Sequence, residues 1–142
     1  MNILFIFIFI LFFINSPLVF GESFPSKKEF DAEMLDTVKQ TNAQMAGIKI
    51  DDYMNLKFVN YDSTVPVFNY FYTSTVLKYL KQTELQAHQI KAMNDFNIKK
   101  SCATELKNAM KPYGLEISHI IEDKYTGFIF YKYTVTKNDC FK

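Results

Sequence analysis

After residue 21 the chain switches between two hydrophobic periods, and the switches mark its elements. Phe30, Met34, Val38, Thr41 and Met45 recur at three- to four-residue spacing while Lys27, Glu33, Lys39 and Gln40 fill the remaining circumference, a pattern that predicts an amphipathic helix. Ser26 and Glu29 form its start, because the Ser26 hydroxyl can accept from the Glu29 amide while that carboxylate reaches back; Gly47 is its stop. Beyond Gly47 the period falls to two. Met54, Leu56 and Phe58 alternate with Asn55 and Lys57, which predicts a half-buried strand, and Asp62, Ser63, Thr64 and Pro66 supply a turn. From Val67 to Thr73, Phe68, Tyr70 and Tyr72 occupy one face and Val67, Asn69 and Phe71 the other, so this strand belongs in the interior of a sheet.

Residues 76–80 give no clear period. Thr83 with Gln86 offers a second capping pair, after which Leu85, Gln89, Met93 and Phe96 share one face and Cys102, Leu106 and Met110 another. Asn94 to Asn97 interrupts the pattern, so residues 83–111 read as a bent helix or two consecutive helices, closed by Pro112 and Gly114. Leu115, Ile117, His119 and Ile121 then alternate with Glu116, Ser118 and Glu122, residues 123–127 form a turn, and residues 128–136 return with Ile129, Tyr131, Tyr133 and Val135 on one side. The order predicts an α+β fold: an antiparallel sheet of about four strands, packed against an N-terminal helix and a central helical segment.

Residues 3–14, ILFIFIFILFFI, are an apolar run of signal-peptide length, short of the ~20 residues that cross a bilayer. Val19 and Gly21 are small enough for cleavage between Gly21 and Glu22. Residues 1–21 are therefore read as a signal peptide and 22–142 as a single domain, destined for the periplasm or the exterior; no Lys or Arg precedes the run, and the alternative is an uncleaved anchor extending to Phe20. Export bears on the only two cysteines, Cys102 and Cys140. In an oxidising compartment the economical reading is a disulfide pinning the central helix to the last strand, with two buried free thiols as the alternative.

Composition narrows the chemistry. The 142 residues include sixteen basic ones, all lysine, against fifteen carboxylates, which leaves no field to steer a polyanion. Lys99, Lys100, Lys107 and Lys111 are the densest basic segment, but Glu105 interrupts it and no arginine offers bidentate phosphate contacts, so no nucleic-acid partner is expected. No metal or other cofactor is expected either: His88 lacks a second ligand at helical spacing, and His119 stands in an apolar strand row. No Gly-x-Ser-x-Gly elbow occurs, four glycines cannot build a phosphate loop, and Asp51/Asp52 and Glu122/Asp123 are adjacent pairs that point apart on a strand. The tyrosines at 70, 72, 131 and 133 carry the positive signal, since aromatic strands can bind peptides or another sheet edge, although core packing is the plainer use of such residues.

The final third resembles a pattern found in small exported bacterial proteins: a helix cysteine, a glycine-started strand, an Asp-x-x-x-Gly turn and a last strand ending Asp-Cys. Here the elements are Cys102, Gly114, His119 and Ile121, Asp123, Gly127, Asp139 and Cys140, with Tyr70-Phe71-Tyr72 as an earlier aromatic strand. In topology and cysteine placement the layout also resembles the pilotins of type II secretion systems, small disulfide-bearing domains that bind a helix of a secretin. That resemblance implies a binding protein without catalytic residues. Pilotins are commonly lipoproteins, and this chain has no cysteine at the signal junction. The expectation is an exported binding or adaptor protein, not an enzyme, recognising a protein or peptide in the envelope or outside the cell, with Tyr70, Tyr72, Tyr131 and Tyr133 as candidate contacts. Membrane contact is expected only if the amino-terminal run is retained. The alternative is a small secreted hydrolase with an unfamiliar site around His119, Glu116 or Asp123.

Overall fold

The structure, a computed structural model, describes residues 25–76 and 87–142. Residues 1–21, read from the sequence as a signal peptide, and the Thr83/Gln86 pair with Leu85 lie outside the described residues. Among the described residues, four helices and four strands follow in the order α1 (Lys27–Met45), β1 (Met54–Asp62), β2 (Val67–Ser74), α2 (Ala87–Cys102), α3 (Lys107–Tyr113), β3 (Glu116–Asp123), β4 (Ile129–Val135) and α4 (Lys137–Cys140). The strands form one sheet in sequence order. The α+β class, the four strands and the interior position of β2 are as expected.

The expected antiparallel sheet needs one correction. β1 with β2 and β3 with β4 are antiparallel hairpins, but β2 and β3 run parallel, with Val67 beside Glu116 and Ser74 beside Asp123. Parallel neighbours require a long crossover, and the connection carrying α2 and α3 brings the chain back to the end where β2 began. Two bulges redirect side chains. Past Lys57 the register slips, so that Leu56 pairs with Tyr72 while Phe58 pairs with Phe71. Cross-strand partners share a face, so Phe58 stacks on Phe71 at 4.6 Å on the side away from the helices, and Val59 and Tyr61 take the core positions. A second slip pairs Ile129 with Glu122 and leaves Ile129 exposed, separating it from Tyr131, Tyr133 and Val135.

The Ser26–Glu29 capping box forms as the sequence predicts, and Gly47 follows α1 with φ +81°. α1 lies on β1 and α2 on β4, the two edge strands. α3 closes one end of the layer between them: Phe30 and Met34 from α1, Leu106, Ala109 and Met110 from α3 and its approach, Leu115 just before β3, and Leu56, Val59, Phe68, Ile117 and Val135 from the sheet share the buried core. Phe30 stacks face to face on Tyr113 at 3.9 Å, joining α1 to α3. The helical segment breaks at residues 103–106, just after Cys102, and not at Asn94 to Asn97. Gly114 ends α3 in the left-handed region at φ +68°, where a residue with a Cβ would be strained. Cys102 and Cys140 are bonded, with Cα atoms 5.3 Å apart; Cys140 sits on the short α4 immediately after the last strand.

Candidate functional site

Tyr70, Tyr72, Tyr131 and Tyr133 all lie on the helix-facing side of the sheet, aligned by register: Tyr70 beside His119, Tyr72 beside Ile121, His119 beside Tyr133 and Ile121 beside Tyr131. They form a single aromatic band across β2, β3 and β4 beyond the packed end closed by α3. Burial is uneven along it: Phe68 and Ile117 are 1% exposed at the closed end and His119 and Tyr131 are each 6% exposed farther along, whereas Tyr70, Tyr72 and Tyr133 are half-buried.

His119 is the centre of the band. Its ring stacks on Tyr70 (5.3 Å, 6°) and on Tyr72 (6.1 Å, 9°). The Tyr72 hydroxyl is 3.3 Å from Nδ1 and the Ser101 hydroxyl, from α2, is 2.8 Å from Nε2. A neutral imidazole has one donor and one acceptor nitrogen, so one hydroxyl donates to the ring and the other accepts from it. Burial pushes His119 down to about 4 and Tyr70 up to about 12; burial, with the neighbouring Tyr70 as a smaller contribution, raises Tyr72 as well. All three groups are thus held neutral near pH 7.

Tyr131 is tied to α2, its hydroxyl donating to Asn94 Oδ1 and accepting from Asn97 Nδ2, both at 2.8 Å. These two asparagines, which interrupt the apolar pattern, face the sheet from an unbroken helix. Ser101, Asn94 and Asn97 are contributors that periodicity missed; their spacing of three and four residues was the available signal, since it places three short polar side chains along one helix face.

The carboxylates named in the sequence do not converge on His119. Asp123 is 5% exposed and accepts from the Thr126 amide and hydroxyl at 2.9 and 2.7 Å, fixing the β3–β4 turn. Glu116, at the other end of β3, pairs with Val67 in register with the opposite face. Among the described residues no three His, Cys, Asp or Glu side chains are grouped to hold a metal ion. His88 is exposed on α2.

The two sheet edges differ. The outer edge of β1 is covered: the Gly47 amide donates to the Leu56 carbonyl, the Leu56 amide to the Ile48 carbonyl and the Ile50 amide to the Met54 carbonyl, and Asn42 of α1 both accepts from the Val59 amide (2.7 Å) and donates to its carbonyl (2.8 Å). Such cover blunts strand addition. β4 is the other edge, and among the described residues no further strand pairs with it.

No family model and no curated protein matches the sequence. Among solved structures the chain is similar to a candidate secreted protein of Pseudomonas aeruginosa (TM-score 0.58, 7% identity, 83% of this chain and 99% of that one). It is also similar to the pilotin of the Vibrio vulnificus type 2 secretion system (TM-score 0.61, 11% identity, 82% of this chain and 96% of that one). Nearly the whole length of each is matched, so the likeness is one of the complete fold: the chain is similar in fold to this pilotin and to the secreted protein.

Proposed function

We propose that the protein is an exported adaptor that holds an apolar segment of a partner protein over the aromatic band, between α1 and α2. The single observation that carries this reading is the placement of Tyr70 and Tyr72: large aromatic rings, still partly accessible, in the middle of a sheet whose helices rest on the edge strands. Aromatic rings in a concave, partly desolvated place are the usual anchors of protein recognition, and an amphipathic helix laid between two flanking helices is a recurrent mode of engagement. Export is supported by the apolar run at 3–14 and by the disulfide, which persists in oxidising compartments. The shared fold with a pilotin fits a role in an envelope assembly.

The same geometry favours binding over hydrolysis. The Ser101–His119 pair has nucleophile-to-base distance, but Ser101 is 3% and His119 6% exposed, and the ring is occupied by Tyr72 on its other nitrogen. A hydrolase here would need the pair to reach solvent. The test is quantitative capture of partner from native envelope extract by the immobilised protein, with Tyr70→Ala compared to wild type at equal intact disulfide. At least a tenfold loss is expected. Unchanged capture contradicts the reading, and turnover of a substrate that disappears in a folded His119→Ala variant would replace it with the hydrolase.

A further inference from the structure

The corner formed by α3 and α4 has a composition unlike the rest of the surface. Lys107 and Lys111, one turn apart on α3, both lie over the ring of Phe141, with their ammonium nitrogens 5.0 and 4.1 Å from its centroid. Phe141 is held there covalently, because its neighbour Cys140 is bonded to Cys102, and its amide donates to the carbonyl of Lys137 at 3.0 Å. Phe141 is 36% exposed. Lys137 and Lys142 flank it in the chain. Among the described residues, Lys107, Lys111 and Lys137 have no ion pair. The nearby carboxylates are committed elsewhere or lie apart: Asp139 accepts from the Thr136 amide and hydroxyl, Glu105 accepts from Asn108, and Glu116 borders the shallow cavity that Lys137 also lines. Two ammonium groups gathered on one ring, with no anion between them, form a site short of negative charge.

The second observation is where the chain enters the domain. Tyr113, two residues beyond Lys111, donates its hydroxyl to the Pro25 carbonyl at 2.6 Å and stacks on Phe30, so the start of α1 is fastened to α3. The apolar run ends at residue 14, and the ten residues between it and Pro25 reach at most about 35 Å when extended. Whenever that run is in a bilayer, the start of α1 and the end of α3 fastened to it by Tyr113 are the parts of the domain tied nearest to it.

From charge, exposed ring and point of entry together, we propose that the Lys107–Lys111–Lys137–Phe141 corner is a contact surface for an anionic lipid bilayer. Lysine heads would lie among the lipid phosphates with their methylene stems and the Phe141 ring at the boundary of the acyl region, the usual division of labour at an interface. In this orientation the aromatic band between α1 and α2 is left for a protein partner, so the inference stands independently of the proposed function. Each lysine near an anionic bilayer contributes about a fivefold gain in surface partitioning at moderate ionic strength.

The chain contains no tryptophan, so Phe141→Trp installs a single reporter in the processed protein beginning at Glu22, which lacks the apolar run that would insert into any vesicle. With vesicles containing phosphatidylglycerol, its emission should shift to the blue and be quenched by brominated acyl chains. Neutral phosphatidylcholine vesicles should give neither effect, 1 M salt should abolish both because its screening length is about 3 Å, and Lys107→Glu/Lys111→Glu should weaken the response at least tenfold. Tyr125→Trp, on the exposed β3–β4 turn, serves as the second reporter and should stay unshifted. The proposal is overturned by a water-like Phe141→Trp spectrum on anionic vesicles, by an equal response on neutral ones, or by an equal response to soluble polyglutamate without lipid, which would indicate an acidic protein partner instead.

Discussion

Lowering the pH should destabilise this protein through one side chain, His119. Its ring is 6% exposed, lies against both Tyr70 and Tyr72, and is hydrogen-bonded at both nitrogens as the neutral form. Burial depresses it from 6.5 to about 4, so the native state refuses a proton that the unfolded chain accepts. Because the folded value is the lower one, the associated stability is complete above about pH 6.5, falls as the pH drops toward 4, and loses no more below that, where both states are protonated. A depression of this size corresponds to about 3 kcal/mol over the whole window, a large fraction of the 5–15 kcal/mol that holds a small domain together. The assay is urea unfolding at pH 7.0 and 4.5 of wild type and of His119→Gln, which keeps hydrogen-bonding groups but does not titrate. Carboxylates such as Glu33, whose pKa burial raises, act on both proteins alike and cancel in the comparison. Wild type should lose about 2–3 kcal/mol more than the variant between the two pH values. Equal losses would refute the buried neutral imidazole, as would a His119 ring signal titrating near 6.5.

Three further outcomes follow from the fold. Cys140→Ser opens a bond spanning 38 residues and should cost about 4 kcal/mol by denaturant unfolding in the chain-entropy account; alkylation of the native protein without reductant should leave both cysteines unmodified by intact mass. Ser26→Ala removes the acceptor for the Glu29 amide and should cost about 1 kcal/mol, measurable as a lower midpoint at unchanged denaturant slope. Amino-terminal sequencing of the exported product should begin at Glu22, and an intact Met1 retained with the membrane would identify the apolar run as an anchor.

Local rules made much of the fold legible. Ser26, Glu29 and Gly47 delimit α1 because capping and a left-handed stop are chemistry within a few residues. The two cysteines indicated that the helical segment and the chain's last element meet. The direction of β3 relative to β2 was not readable, because hairpins reveal their own geometry while a crossover depends on which end of the sheet the helices return to. The bulges after Leu56 and after Ile121 were equally hidden: one extra residue leaves the alternation in the sequence intact while turning Phe58 and Ile129 to the opposite face. Of the site, the four tyrosines were identified as strand residues, but their common face and the role of His119 depended on the parallel register. Asn94 and Asn97 looked like a helix break because their polarity is satisfied only by Tyr131, nearly forty residues away.

The central claim is that a partner lies on the aromatic band between α1 and α2, and photo-crosslinking tests it most directly. A photoreactive amino acid replacing Tyr72, on the band, is compared in native cells with one replacing Lys132, exposed on the β4 edge. The account predicts one discrete protein adduct at position 72 and none at 132. An adduct at 132 alone would move the binding site to the sheet edge, and no adduct at either position would contradict the adaptor reading itself.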